Sequence, residues 1–177
     1  RVNLFRQRGT LAAVVRVIRF GLPKPEEFHI PPEIMAVKDC KKGLVLVTGQ
    51  AGSGKTTTLA CIVDAINHSR SGHILTLEDP VEYIHRHDKC IVNQREIQCD
   101  CPSYVAALRS ALRESPDVIF LGEMRDRETM EVAMSAAETG QLLLSTLHTI
   151  GAANTIDRII DAFPPEQQSQ IRLQLSM

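Results

Sequence analysis

The sequence contains no tryptophan, and aromatic residues make up only 4% of its 177 positions. Its formal charge at pH 7 is −1. A chain that grips nucleic acid needs a basic surface interleaved with stacking rings, and the composition supplies neither, although a local patch is compatible with it. No apolar run approaches the length that crosses a bilayer, and the first residues carry no secretory signal. The expectation is a soluble, cytosolic protein with no nucleic acid among its partners.

Cysteines are few and poorly placed for a framework. Cys40, Cys61, Cys90, Cys99 and Cys101 are odd in number and irregularly spaced, and no CxxC pair occurs. Reduced thiols are the plain reading. The alternative is a metal clipped by Cys90, Cys99 and Cys101, for which a fourth ligand and the usual spacing are missing. An initiator Met is also lacking, and the sequence stops at Leu175-Ser176-Met177 inside an unfinished pattern. A fragment of something longer is therefore expected at both ends. With 44% apolar residues the chain can build one α/β core and little more.

What is present centres on Gly49-Gln50-Ala51-Gly52-Ser53-Gly54-Lys55-Thr56. The stretch follows the β-branched run Gly43 to Thr48 and opens a helix through Thr57, with Leu59, Ile62, Val63 and Ile66 at helical spacing. Strand, glycine loop and helix in that order are the context a P-loop requires. The glycines let successive N–H groups turn inward on phosphate oxygens, at the positive end of the helix. Lys55 would reach the β- and γ-phosphates of ATP, and Thr56 would place its hydroxyl on the Mg2+ that bridges them. The bland alternative is a glycine turn that only joins two elements.

From Gly43 onward strands and helices alternate as in a doubly wound parallel sheet. Residues 73–77 end in Glu78-Asp79-Pro80-Val81-Glu82, and 117–121 end in Gly122-Glu123. Residues 141–147 lead to His148. The carboxyl ends of such strands face the ligand crevice, so Glu78, Glu123, Thr146 and His148 are expected beside Lys55. An acidic surface loop, an incidental acid at a strand end and a solvated histidine are the respective alternatives.

Cys90 to Glu96 is expected to form a hairpin strand outside the main sheet. A helix then follows on Val105, Leu108 and Leu112, capped near Ser103 and carrying Arg109 and Arg113 as minor candidates for the γ-phosphate. Met130, Ala133, Met134 and Ala137 are expected to line a core helix stopped by Gly140. Helices are also predicted over 152–160 and from Glu166, the last with Ile171 and Leu175 in need of a partner outside the fragment. At the start, residues 1–5 and 11–18 predict strands, and 21–42 a linker with one short helix opened by Pro31-Pro32.

Four stretches, Gly49 to Thr56, Leu75 to His85, Gly122 to Asp126 and Gly140 to Thr149, resemble the Walker A, Asp, Walker B and His boxes of the type II/IV secretion ATPases. Within that family Gly122-Glu123-Met124-Arg125-Asp126, Asn93-Gln94-Arg95-Glu96 and residues 152–165 are most similar to the motors that retract type IV pili in twitching motility. The resemblance implies a RecA-like α/β P-loop ATPase over 43–177, a linker over 21–42 and the end of an N-terminal PAS-like domain over 1–20. It implies ATP and Mg2+ as cofactors and a hexameric ring. The ring would sit on the cytoplasmic face of the inner membrane, peripheral to it, beside a pilus platform protein. By the same resemblance Arg1 and Arg16 match arginines offered to bound nucleotide, Glu78 a carboxylate that positions or activates water, Glu123 the acid on Mg2+, and His148 the second His of the His box. Gln141 departs from the family, which has a histidine there. Pilus-assembly and type II secretion ATPases are the nearest alternative, and the lack of a two-CxxC zinc module favours retraction. A nucleic-acid translocase and a nucleotide-gated scaffold that does not hydrolyse ATP are more distant ones.

Overall fold

The structure, a computed structural model, describes residues 2–15, 17 and 21–176. It opens with a hairpin, β1 (Val2–Gln7) and β2 (Thr10–Val15), paired antiparallel around Arg8 and Gly9. Both turn residues have positive φ, 47° and 78°, which gives the backbone the twist a two-residue hairpin loop needs. These are the two strands expected at the start; Arg16 and Ile18 lie outside the described residues. The predicted linker holds a 3-10 turn at Pro25–Phe28 and a short helix, α1 (Pro32–Met35), which tightens into a second 3-10 turn over Ala36–Asp39. Met35 and Val37 of this segment pack against the main body.

The body is a five-stranded sheet, β3 (Gly43–Thr48), β4 (Gly72–Glu78), β5 (Cys90–Glu96), β6 (Val118–Leu121) and β7 (Leu142–Leu147), in the order β3-β7-β6-β4-β5. Every neighbouring pair is parallel. One face is covered by α2 (Lys55–Ser69), whose Leu59, Ile62, Val63 and Ile66 meet Ile74, Val118, Phe120, Leu142 and Leu144. The other face is covered by α3 (Tyr104–Ala111), α4 (Arg127–Glu138), α5 (Ala152–Asp161) and α6 (Pro165–Leu175). Among the described residues two helices carry side-chain caps: Ser103 Oγ accepts from Ala106 N at the start of α3, and Asp126 Oδ1 accepts from Thr129 N at the start of α4.

Two expectations need correction. Cys90 to Glu96 is no outlying hairpin but the edge strand β5 of the main sheet, parallel to β4 from Gly72↔Cys90 to Glu78↔Glu96. Its polar second half lacks the apolar run of a central parallel strand, and the reason lies in what those side chains hold, described below. Nor does α6 wait for an outside partner, since Ile171 is buried with Ile159, Ile160 and Phe163, and Leu175 packs on the same cluster.

Ile119, in the middle strand, is fully buried, whereas Ile91 on the edge strand is 61% exposed. Truncating Ile119 to Ala is expected to cost about 2 to 5 kcal/mol. Ile91→Ala should cost under about 1 kcal/mol, because little apolar contact is lost at an exposed position. Urea unfolding of the two variants beside the parent chain measures the difference.

Candidate functional site

Strand parity places several side chains of the site, and Glu123, of the other parity, reaches it from the loop beyond β6. In β4, Ile74 and Thr76 point to the α2 face and Leu75 and Leu77 to the opposite core, so Glu78 comes out on the α2 side. The same alternation in β6 puts Gly122 on that side after Val118 and Phe120. In β7 it does so for Thr146 and His148 after Leu142 and Leu144. All three strands end at the same edge, where the loop into α2 begins.

Backbone contacts lock this edge together. Gly122 N donates to Leu77 O at 2.8 Å, Thr146 Oγ1 donates to Gly122 O at 2.7 Å, and Gly49 N donates to Leu147 O at 3.3 Å. Gly122 has little freedom to be anything else: a Cβ there would lie 3.0 Å from Tyr104 Oη and 3.3 Å from Leu77 O. The loop itself turns through Gly52 and Gly54 at φ of 77° and 92°, and Gly54 opens α2 directly. Lys55 is buried and its Nζ donates to Gly49 O and Gln50 O at 2.9 and 2.8 Å, which holds the ammonium over the loop.

The result is a cleft of about 290 Å³. Ala51, Gly52, Lys55 and Thr56 line it from the loop, and Glu78, Glu123, Thr146 and His148 from the strand ends. Glu123 is nearly buried and is contacted by Arg125 Nη2 and, at 3.4 Å, by His148 Nε2. Asp79 and Glu82 add two more carboxylates. The donors facing the cleft are mainly hydroxyls and carboxylates, with one imidazole, His148, turned to Glu123 and no thiol among its lining residues, a set dominated by the oxygen ligands a hard cation such as Mg2+ takes. Glu78 is almost fully buried, and that burial pushes its carboxyl up to about 7, against hydrogen-bond donors that include Gln94.

A family model described as type II/IV secretion system protein matches residues 31–171. The chain belongs to that family. It is 51% identical to the type IV pilus retractation ATPase PilT of Pseudomonas aeruginosa over 99% of this chain and 51% of that protein. It is 48% identical to the twitching motility protein of Neisseria gonorrhoeae over 99% of this chain and 47% of that one. A crystal structure of the pilus retraction motor PilT with bound ADP superposes with a TM-score of 0.95 at 52% identity, over 99% of this chain and 51% of that chain. The chain therefore spans about half the length of the relatives it matches.

The other expected positions distribute unevenly. Gly49, Gln50, Ser53 and Gly54 shape the loop without lining the cleft, and Thr57 turns aside to place Oγ1 3.1 Å from Tyr83 Oη. Arg1 and Arg16 lie outside the described residues. Arg109 does not reach the cleft: it is exposed and paired with Glu128 at 2.9 Å on the far face, and Arg113 is exposed as well. Gln141 stands at the opposite, amino-terminal end of β7, where its carbonyl accepts from Gly43 N, so a side chain at 141 is remote from His148 and the cleft. The alternative of a cysteine clip fails because Cys90 starts β5 while Cys99 and Cys101 follow its end, and no group of three metal-ligating His, Cys, Asp or Glu side chains occurs among the described residues. Among the described residues no helix is long and apolar enough to cross a membrane.

Sequence reasoning missed Arg125 and Tyr104 as cleft residues. Arg125 was visible as the second residue after Glu123, but nothing in spacing separates it from a solvated arginine. Tyr104 gave no signal, because it stands at the first turn of a helix on the other face.

Glu78 and His85 together make a pH test of the site. His85 is buried, its Nδ1 lacks a hydrogen-bond partner among the described residues, and burial lowers it to about 4. Glu78 keeps its proton to about pH 7 when folded but to 4.5 in its ordinary state, so it adds stability that is complete below 4.5 and lost as pH rises through 7. His85 acts in the opposite sense, with stability complete above 6.5 and lost as pH falls through 4. The two slopes oppose each other between pH 4.5 and 6.5. Urea midpoints measured against pH are expected to show E78Q gaining stability relative to the parent as pH rises through this window, and H85F losing it. Parallel curves for both variants would contradict these burial effects.

Proposed function

We propose that the chain is the nucleotide-hydrolysing part of a motor that retracts type IV pili, with ATP as fuel. The observation that carries this reading is the convergence of a buried P-loop lysine with two carboxylates, Glu78 and Glu123, delivered by adjacent strands to one cleft. The pilus assignment is supported by the retraction and twitching-motility names of relatives at about half identity.

The loop amides and Lys55 bind and orient the phosphates, with the ammonium placed to offset charge that builds on the leaving ADP. Besides Glu78, three acidic side chains, Asp79, Glu82 and Glu123, outnumber the two basic ones, Lys55 and Arg125, in the cleft. A polyanionic triphosphate enters such a site readily only with a cation of its own. Thr56 and Glu123 are the residues that would hold that Mg2+, which when bound supplies charge neutralisation at the phosphates. Arg125 and His148 fix the Glu123 carboxylate from its two sides.

Glu78, with a carboxyl near 7, is poised to take a proton at neutral pH. As the water oxygen bonds to the γ-phosphorus and the bond to the β–γ bridging oxygen breaks, that proton passes to Glu78 and ADP leaves with the electron pair. Around this core we place the motor domain at 43–177, a linker at 21–42 and the end of a PAS-like domain at 1–20. Arg1 and Arg16 are offered to nucleotide from that end. A homohexameric ring at the cytoplasmic face of the inner membrane, acting on a pilus platform protein, completes the reading.

Lys55→Ala is expected to weaken nucleotide binding or turnover by on the order of a hundredfold or more. E78Q should retain binding of a fluorescent ATP analogue while phosphate release slows by roughly 100- to 10,000-fold. Near-normal phosphate release by Lys55→Ala, or a loss of binding without slower turnover in E78Q, would sink the assignment.

A further inference from the structure

Gln94 lies on β5 opposite Thr76 and does not line the cleft, yet both ends of its amide are engaged. Nε2 donates to Glu78 Oε1 at 3.3 Å and to Tyr83 O at 2.9 Å, and Oε1 accepts from His85 N at 2.7 Å. Only this orientation is possible, since the flipped amide would set its oxygen against two acceptors and its NH2 against a donor. Two residues on, Glu96 Oε2 accepts from Val81 N at 3.1 Å. The loop after Glu78 is thus pinned to one face of β5 by two side chains. Its Tyr83 in turn touches Thr57, next to the threonine of the phosphate loop.

We infer that Gln94 is a positioning residue that holds the Glu78 carboxylate in the cleft and joins it to the phosphate loop through Tyr83. The side chains nearest to it in shape each lose part of the set: glutamate keeps the acceptor for His85 N but loses both donors, methionine keeps only the length, and asparagine is shorter by one methylene. The inference rests on Glu78 as the residue that takes the water proton. A group that donated to ionised Glu78 and was then removed must leave the carboxylate harder to form, which distinguishes this role from a purely structural one.

The test follows the Glu78 side-chain carboxyl by carbon-detected NMR across pH in the parent chain, Q94M and Q94E, with the resonance assigned by its loss in E78Q. The Glu78 midpoint is expected to rise by roughly half a pH unit or more in Q94M, and further in Q94E where a second carboxylate adds repulsion. Binding of a fluorescent ADP analogue should stay within about twofold in both, and kcat should fall by about tenfold with KM little changed. A midpoint that does not move in Q94M, with ADP binding intact as the sign of a folded cleft, overturns the proposal. So does a loss confined to KM. If E78Q turns ATP over at the parent rate, the role of Glu78 fails and this proposal with it. If E78Q is slow but Q94M neither shifts the midpoint nor slows turnover, only the role of Gln94 fails.

Discussion

The cleft depends on how closely the ends of β6 and β4 approach. Gly122 N donates to Leu77 O, and a Cβ beside it would crowd Tyr104 Oη and the β4 backbone at 3.0 to 3.4 Å, so that a side chain there would have to displace one of them. This contact brings the segment that carries Glu123 against the segment that carries Glu78. A bulkier residue at 122 would push the two strand ends apart and part the two carboxylates. The Gly-Glu pair at the end of β6, where many P-loop enzymes have an acid directly after the apolar run, is thus a packing requirement before it is a chemical one.

The second constraint is desolvation. Placing a carboxylate under 5% exposure costs free energy in its charged form, and the protein meets that cost by letting Glu78 titrate near neutrality rather than by pairing it with a cation. Glu123, with Arg125 and His148 against it, is the opposite case. Two acids in one small cleft therefore have different surroundings, one desolvated and held by an amide, the other flanked by an arginine and a histidine. Environment, not residue type, separates them.

Much of this was legible in the sequence. Glycine, lysine and threonine at fixed spacing between a β-branched run and a helical pattern left one good reading of Gly49 to Thr56, and the acids that follow the apolar runs were visible as strand ends. The placement of β5 was not legible, because Gln94 and Glu96 read as solvent-facing residues until the loop they pin is seen folded across them. Arg109 and Arg125 looked alike in one dimension; the fold sends the first to a pair with Glu128 and the second to Glu123. The family position at Gln141 looked near His148 in sequence, but the length of β7 separates them. What failed were statements that depend on contacts between distant segments, which local pattern does not carry.

One face of β5 shows how core and site are built from a single strand. Cys90 and Val92 are buried beneath α2, while Gln94 and Glu96, at the next two positions of the same parity, hold the loop that follows Glu78. The change from apolar to polar occurs where the edge strand passes from the α2 cluster to that loop. A central strand could not make this change cheaply, since helices bury both its faces along their length. An edge strand can, and its position also leaves room for the loop to cross. The polar half of β5 is therefore the reason that Glu78 can be buried and still be held by hydrogen bonds, and the edge position is what makes the polar half tolerable.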